Sequence, residues 1–237
     1  MPTFTNLLML ARLCDAAYEP DTRETKRRVE SLGLDFIAQV ASQDCAAVVA
    51  GCGGRQIVAL KGTSIAGDIN RRELWDDLDV DPVETPAGAA MDGFWTPLRD
   101  LWPVIAGHLD PARPLLATGH SLGGARAHLV PVLARCEAVV SFGAPMAATD
   151  GFWRCVYGAP GSPPLTRVVN ADDFAPGWPW LDGPSVEYIQ PPGPFLWLHG
   201  SEARVVTWRP PVNLSLAAHS IDGAYIPTLE RLAASRA

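Results

Sequence analysis

The alternation of apolar and polar positions along the chain predicts short strands separated by helices. Six apolar runs, most of them rich in valine and bounded by turn residues, are typical of strands buried inside a sheet. These runs are residues 46–50, 56–60, 115–118, 138–142, 166–169 and 203–208. Only the glycine-rich segment 51–54 separates the first two runs, so we expect that pair of strands to be antiparallel.

Helical patterns lie between and around these runs. Apolar positions between Leu7 and Ala17 predict a helix near the N-terminus, and three further stretches have helical character. These are residues 94–109, 123–135 and 226–234. Strands alternating with helices predict an α/β fold with a mostly parallel central sheet and helices on both faces. We expect a single domain over residues 1–237, with ligand sites at the carboxyl ends of the parallel strands.

Composition fits this fold class and excludes some partners. The 237 residues are 48% hydrophobic and 19% charged, which is enough apolar material to cover both faces of a sheet. The formal net charge is -7 and no basic stripe is present, so we expect no nucleic-acid partner. The five cysteines are scattered without a Cys-x-x-Cys pair, and the histidines lack metal-ligand spacing, so we expect no metal site.

The N-terminus lacks the features of a secretory signal. No basic region precedes its apolar residues, and Arg12 and Asp15 soon interrupt them. No apolar stretch of the sequence approaches the length needed to cross a bilayer. We therefore expect a soluble protein that is either cytoplasmic or exported by a non-classical route.

The strongest local motif is Gly-His-Ser-Leu-Gly-Gly at residues 119–124. It follows a predicted strand and opens a predicted helix, which is the context in which Gly-x-Ser-x-Gly forms a nucleophile elbow. The glycines leave room for a strained turn that lifts the serine hydroxyl above the edge of the sheet. We therefore predict that Ser121 is a nucleophile; the alternative is a tight structural turn.

A serine nucleophile needs a general base and an acid that orients the base. In α/β hydrolases, the acid and then the histidine follow the serine along the chain. Asp172 and Asp173 both lie just beyond the predicted strand 166–169, and either could instead cap the strand end. Position favours His219 as the base, because it follows the last predicted strand at the edge where the serine stands. We expect a structural role for His199.

The negative charge that develops on a substrate's carbonyl oxygen needs backbone donors. The amide of Leu122, directly after the nucleophile, is one candidate. The second is the amide of Thr63, in the loop after the strand 56–60, and its hydroxyl could also contribute. The alternative for this loop is an ordinary polar connection.

Several segments together resemble the class 3, or fungal-type, lipase family. They are Leu-Lys-Gly-Thr at 60–63, Gly-His-Ser-Leu-Gly-Gly-Ala at 119–125, Phe-Gly-Ala-Pro at 142–145, Val-Asn-Ala-Asp-Asp-Phe-Ala-Pro at 169–176, and the segments 199–202 and 219–225. These segments span about residues 57–225. The resemblance implies an α/β-hydrolase fold and a Ser-Asp-His triad that works without a metal or organic cofactor. It selects Asp173 over Asp172 and agrees with the choice of His219.

The chain departs from the family pattern at a few positions. Lys61 replaces the usual arginine, and Met91 stands where the family often has histidine. Trp75 lies one residue closer than usual to Asp77, which affects the expected geometry of the oxyanion loop and the lid. Pro131 falls inside the predicted elbow helix, where it removes a backbone donor and should bend the helix.

The resemblance implies a short lid over an acyl groove, and the matching stretch is residues 64–75. Four of its twelve residues are charged, so the alternative is an ordinary solvated loop. Trp75, Trp178 and Trp180 could line a pocket for the acyl or alcohol group of a substrate. The alternative is that these aromatic side chains pack into the body of the protein.

These features together predict a serine carboxylic-ester hydrolase, a lipase or esterase that forms an acyl-enzyme. We expect its substrate to be a small-molecule or lipid ester, with a short-to-medium acyl chain or of the mono- or lysolipid kind. For a mono- or lysolipid substrate, we expect a transient contact with a lipid interface. Three alternatives remain open: an acyltransferase with the same triad, an exported phospholipase effector, and a catalytically silent binding module on this fold.

Overall fold

The computed structural model describes residues 2–63, 78–179, 187–207 and 215–235. Within these residues the helices are α1 (Phe4–Ala16), α2 (Thr22–Ser31), α3 (Asp92–Ala106), α4 (Leu122–Leu129), α5 (Asp150–Tyr157) and α6 (Ile226–Ala234). The strands are β1 (Asp35–Ala41), β2 (Ala46–Cys52), β3 (Arg55–Leu60), β4 (Pro82–Thr85), β5 (Gly88–Met91), β6 (Leu115–His120), β7 (Ala138–Phe142), β8 (Leu165–Asn170), β9 (Phe195–His199) and β10 (Glu202–Val206). None of these helices is both long and apolar enough to cross a bilayer.

Eight of the strands form one mixed sheet in the order β1-β2-β3-β6-β7-β8-β9-β10, and β4 and β5 form a separate hairpin. The strands β3, β6, β7, β8 and β9 run parallel to one another. The strands β1, β2 and β10 pair with their neighbours in antiparallel fashion. The predicted α/β fold with a mostly parallel central sheet is therefore confirmed, as is the antiparallel pairing of its first two predicted strands.

Apolar side chains cover both faces of the sheet, because successive residues of a strand point to opposite sides. Val49 of β2 and Val58 of β3 belong to the core cluster that also contains the buried residues of α3 and α4. Val48 and Ile57, their neighbours along the chain, belong to a second cluster that contains the buried residues of α1 and α6. The helices thus pack on both faces, as the sequence predicts.

Several elements lack a clear signal in the sequence, namely β1, β9, the β4–β5 hairpin, α2 and α5. The helix α2 is strongly polar and buries only Thr25 and Val29, so its apolar stripe is too short to give a helical periodicity. The edge strand β1 buries only Ala38 and Val40 fully. Elements at the margin of the core contain few apolar residues, so hydrophobic periodicity predicts them poorly.

The helix that follows the elbow ends earlier than its sequence suggests. The prediction extends it to residue 135, but α4 ends at Leu129 and a 3₁₀ turn at Val130–Val132 follows. Pro131 has no backbone N–H for the helical ladder, and its ring crowds the preceding turn. The expectation that the helix continues through Pro131 with a bend is therefore wrong.

Candidate active site

Ser121 lies in the turn between β6, which ends at His120, and α4, which begins at Leu122. Its backbone has φ 58° and ψ -130°, a conformation that residues with a side chain rarely adopt. The turn is held on the preceding strand, because the Ser121 N–H donates to the carbonyl of Phe142 on β7 over 2.9 Å. The serine therefore stands at the carboxyl end of the parallel strands.

The glycines on either side of this turn are required by close backbone contacts. A Cβ atom at Gly119 would collide with the backbone of Gly123, and a Cβ atom at Gly123 would collide with the carbonyl of Leu60 on β3. No side chain can relieve either clash, because the opposing atoms are backbone. The two glycines let α4 start directly against the end of β3, and this brings the Ser121 turn close to the loop that follows β3.

The structure brings Ser121, His219 and Asp173 into one line of hydrogen bonds. The Ser121 hydroxyl lies 2.8 Å from His219 Nε2, and His219 Nδ1 lies 2.9 Å from Asp173 Oδ1. All three side chains are buried, with exposed fractions of 3%, 1% and 0%. Because a carboxylate only accepts hydrogen bonds, Nδ1 carries the proton, and Nε2 is free to accept from the serine.

The buried carboxylate of Asp173 has partners for both of its oxygens. Oδ1 also accepts from the Ala175 N–H over 2.9 Å, and Oδ2 accepts from the Tyr225 hydroxyl over 2.5 Å. The Tyr225 oxygen in turn accepts from the N–H of Asn170, the last residue of β8, over 3.1 Å. Burial, followed by the negative charge of Asp173, raises the pKa of Tyr225 well above its ordinary value. The phenol therefore keeps its proton and donates it to the carboxylate.

The two other candidates for acid and base lie elsewhere. The backbone carbonyl of Asp172 accepts from the Ser215 N–H, whereas the hydrogen bond to His219 is made by Asp173. His199 is exposed at the end of β9, with its ring 5.6 Å from the ring of Trp197. Because β9 lies three strands from β6, its end is about 14 Å from the elbow at ~4.8 Å per strand.

The last strand runs in the opposite direction to the one expected from the sequence. The sequence predicts that it ends at the edge where the serine stands, but β10 runs antiparallel to β9 and ends at the opposite edge. His219 nevertheless lies beside Ser121, in a 3₁₀ turn at Ala217–His219. Asn170 holds this turn, since its side-chain amide donates to the Ala218 carbonyl over 3.2 Å.

His120 links the elbow to three other parts of the site. Its Nε2–H donates to the backbone carbonyl of His219 over 2.7 Å, and its Nδ1 lies 2.9 Å from the Tyr18 hydroxyl. Burial is the main cause, and the neighbouring His219 the second, that holds the pKa of His120 well below its ordinary value. The ring is therefore neutral, and Nδ1 accepts from Tyr18. The Tyr18 oxygen itself accepts from the Gly62 N–H in the loop after β3.

The two predicted oxyanion donors lie on the walls of one cavity. Thr63 is half-buried in the loop after β3, and Leu122 is the first residue of α4, whose N–H has no partner within the helix. Both residues line a cavity of 330 Å³. Gly62 allows the loop to approach the elbow, because a Cβ atom there would collide with the Tyr18 hydroxyl and the His120 carbonyl. Their role in binding an oxyanion stays a prediction.

The predicted substrate-binding residues are placed differently from the triad. Trp178 is 6% exposed and packs edge-on against Phe94 of α3, with 6.3 Å between the ring centres. It thus belongs to the core cluster on the α3 side of the sheet. Trp75 and Trp180 lie outside the described residues, and so does the lid candidate 64–75.

The part of the chain that the structure describes holds neither a cluster of metal-ligating side chains nor a disulfide. No group of three or more histidine, cysteine, aspartate or glutamate side chains there is arranged to hold a metal ion. The five cysteines, all within the described ranges, are free thiols.

Comparison with known proteins gives structural matches only. No protein-family model matches the chain, and no curated protein matches it in sequence. The Rhizomucor miehei lipase in its propeptide complex aligns with a TM-score of 0.63 at 21% identity, over 95% of this chain and 77% of that chain. Lipase II from Rhizopus niveus aligns with a TM-score of 0.62 at 19% identity, over 82% and 80%. A triacylglycerol lipase described as having a serine protease triad at its catalytic centre aligns with a TM-score of 0.63 at 21% identity, over 84% and 82%.

These alignments cover most of each chain. The chain has a lipase-like α/β-hydrolase fold. The predicted resemblance to the class 3 lipases is therefore confirmed for the fold. In this lipase-like fold the turn after β6 carries Ser121, the end of β8 leads to Asp173, and the segment before α6 carries His219.

In this lipase-like fold two tyrosines contact the candidate active site, and the sequence motifs do not predict either of them. Tyr18 contacts His120 across 102 positions of the chain, and Tyr225 contacts Asp173 across 52 positions. The sequence motifs assign no chemical role to either tyrosine. Tyr225 does fall within the segment 219–225 that resembles the family, and this is the one signal that could have drawn attention to it.

Proposed function

We propose that this chain is a serine carboxylic-ester hydrolase, a lipase or esterase that cleaves acyl esters. The observation that carries the proposal is the line of hydrogen bonds from Ser121 through both ring nitrogens of His219 to Asp173. A serine hydroxyl is a weak nucleophile, and a neutral imidazole within hydrogen-bond distance can accept its proton during attack. The similarity in fold to a triacylglycerol lipase with a serine protease triad supports the same proposal.

In the first half of the proposed reaction, Ser121 Oγ attacks the carbonyl carbon of the ester and its proton passes to His219 Nε2. Asp173 holds the ring in place and stabilises its positive charge. The tetrahedral intermediate then breaks its bond to the alcohol oxygen, which takes the proton from Nε2 as it leaves. The acyl group remains as an ester on Ser121.

In the second half, water replaces the alcohol. It gives a proton to His219 Nε2 as its oxygen attacks the acyl carbon, and the bond to Ser121 Oγ breaks as that oxygen takes the proton back. The carboxylic acid is released and the enzyme returns to its starting state. The triad and water supply every proton in these steps, so the proposal includes no metal or organic cofactor.

The amides of Thr63 and Leu122 are proposed to stabilise the negative oxygen of both tetrahedral intermediates. Leu122 follows the nucleophile, and Thr63 lies on the wall of the same cavity. A backbone donor in this position typically contributes on the order of 3 kcal/mol to the transition state.

We infer that the preferred esters have short-to-medium acyl chains or are mono- or lysolipids. The cavity beside Thr63 and Leu122 has a volume of 330 Å³, which is at the small end of the range for ligand pockets. Its lining includes several charged and polar residues, which suits a short chain better than a long one. For a lipid substrate, transient contact with a lipid interface is part of the proposal.

The test is hydrolysis of p-nitrophenyl esters from acetate to palmitate by the wild-type protein and by Ser121→Ala. We expect Ser121→Ala to lose activity by at least about a thousandfold, because it has no nucleophile. Ser31→Ala, an exposed substitution at the end of α2, serves as the matched control and should keep wild-type activity. A rate that peaks on long-chain triglyceride emulsions would contradict the inference on chain length.

Product analysis with glycerol present separates hydrolysis from acyl transfer. Free carboxylic acid as the main product supports the hydrolase, and a glycerol ester as the main product contradicts it. Absence of ester turnover, together with absence of Ser121 labelling by a fluorophosphonate, would contradict the enzyme altogether.

A further inference from the structure

Two basic residues line the cavity beside the proposed oxyanion donors. Lys61 lies in the loop after β3, two residues before Thr63, and Arg126 lies on α4, one turn after Leu122. The same cavity thus carries the two backbone donors and the two cations. None of the steps described above uses either cation.

Arg126 is an unusual residue for a buried position. It is 3% exposed, and its Nη2 donates to the Gly93 carbonyl over 3.1 Å. Its Nε–H has no hydrogen-bond partner among the residues that the structure describes. A buried guanidinium without an anionic partner is costly, because it has lost its hydration without full compensation. A ligand that brings an anionic oxygen into the cavity would supply what is missing.

Lys61 also lacks a carboxylate partner within the described ranges, where no salt bridge includes it. Its backbone N–H donates to the Ala46 carbonyl over 2.9 Å, which anchors the residue at the base of the loop. The residue is half-buried and lines the cavity. Lys61 is one of only two lysines in the chain, the other being Lys26 on α2.

The other ionisable groups at the cavity do not neutralise the pair. Asp44 lines the rim and attracts Arg126 electrostatically, but it is exposed, so water screens its charge. Cys45 contacts Arg126 through a hydrogen bond, and burial raises the pKa of its thiol, which is therefore uncharged at neutral pH. Two cations against one exposed carboxylate leave the cavity with a positive charge.

We propose that this cavity is an anion subsite, in which Lys61 and Arg126 bind a carboxylate or phosphate group carried by the ester substrate. The inference rests on the proposed hydrolase function and names the class of substrate. An ester carbonyl directed towards Thr63 and Leu122 would bring a neighbouring part of the same molecule into the cavity. A guanidinium and an ammonium are the side chains best suited to bind such oxygens.

The test compares matched esters that differ only in charge. The soluble pair is p-nitrophenyl hydrogen glutarate and p-nitrophenyl pentanoate, which have five-carbon acyl chains with and without a terminal carboxylate. The lipid pair is phosphatidic acid and diacylglycerol in micelles of a neutral detergent. We expect at least one pair to show a preference of about tenfold in kcat/KM for the anionic member. The pair that shows it tells whether the group is a carboxylate of a soluble ester or the phosphate of a lipid.

Variants then test whether the two cations produce the preference. In Lys61→Met the ratio of anionic to neutral kcat/KM should fall about tenfold, whereas Lys61→Arg should retain most of it. Arg126→Lys keeps the charge without the fork of donors and should lower the ratio in part. Lys26→Met is the matched control, since it removes the other lysine at a distance from the cavity, and it should keep the wild-type ratio.

Three results would overturn the anion subsite while leaving the hydrolase in place. They are turnover of the neutral ester with no preference in either pair, a Lys61→Met variant that cleaves both members of a pair as fast as the wild type, and an equal loss of kcat/KM on both members in that variant. The last result would mean that the cation acts on the oxyanion and not on the substrate's own charge. Failure of the hydrolase itself looks different, since neither member of any pair is cleaved and Ser121 is not labelled by a fluorophosphonate.

Discussion

The Tyr225 hydroxyl shows how much a single hydrogen bond can contribute to the stability of the protein. It is the only described partner of Asp173 Oδ2, and both groups are fully buried. We predict that Tyr225→Phe lowers the free energy of unfolding by roughly 1.5–3 kcal/mol, because a hydrogen bond to a charged group is lost and one carboxylate oxygen is left buried without a donor. Urea denaturation measures the change.

The matched control is Tyr157→Phe. Tyr157 is half-buried, and its hydroxyl donates to the neutral backbone carbonyl of His128 over 2.9 Å. We expect a loss of about 1 kcal/mol for this variant. Equal losses in the two variants would argue against a special role for the charge of Asp173.

The sequence predicts the residues of the candidate triad better than their surroundings. Ser121 lies in a local motif in which any side chain at the glycine positions would collide with backbone atoms. The motif is short, so it can be recognised in the sequence. Tyr18 and Tyr225 have no such local cause, because their partners come from distant parts of the chain. The same holds for Arg126, whose importance comes from a cavity that only the folded chain forms.

At the scale of elements, the end of α1 supports both sides of the candidate active site. Tyr18, just after this helix, accepts from the Gly62 N–H and donates to His120. We predict that Tyr18→Phe lowers kcat about tenfold with a smaller change in KM, because the loop with Thr63 loses its fixed distance to the elbow. Steady-state kinetics on the best p-nitrophenyl ester measures both constants.

A suitable comparison is Thr3→Ala at the other end of the same helix. Thr3 caps α1, since its side chain accepts from the Asn6 N–H over 3.2 Å. Its replacement should lower stability by about 1 kcal/mol while leaving kcat unchanged. If Tyr18→Phe behaves in the same way, the helix end has a purely structural role.

Element directions are less predictable than element positions. The apolar runs locate the buried strands β2, β3, β6, β7 and β8 well, because a strand covered on both faces is largely apolar. Nothing in such a run specifies whether it pairs in parallel or antiparallel fashion, and β10 therefore differs from expectation. The helix end at Leu129 could have been predicted, since Pro131 alone accounts for it.

For the whole molecule, buried histidines on the two faces of the sheet make stability depend on pH. Burial, followed by the charge of Arg167, lowers the pKa of His128 to about 3, and burial holds that of His120 well below its ordinary value. Below about pH 6.5 the unfolded chain binds protons that the folded chain does not. The free energy of unfolding should therefore fall as the pH decreases from 7 to 5, by up to about 1.4 kcal/mol per pH unit for each histidine.

Urea denaturation at several pH values between 7 and 5 tests this with two variants. His128→Gln removes one of the two groups, so its stability should fall less steeply with decreasing pH than that of the wild type. Val139→Ala, a fully buried apolar truncation on β7, should lower stability by the same amount at each pH. Parallel curves for His128→Gln and the wild type would mean that His128 takes up its proton in the folded state as well.

The strained backbone of Ser121 has a consequence for how this position evolves. Its φ and ψ values belong to a region that glycine alone adopts readily, so glycine at this position would relieve about 1 kcal/mol or more of strain. Random mutation filtered only for folding would therefore drift towards glycine here. A chain that keeps serine at this position is less stable than the same chain with glycine. The hydroxyl is the group that it gains.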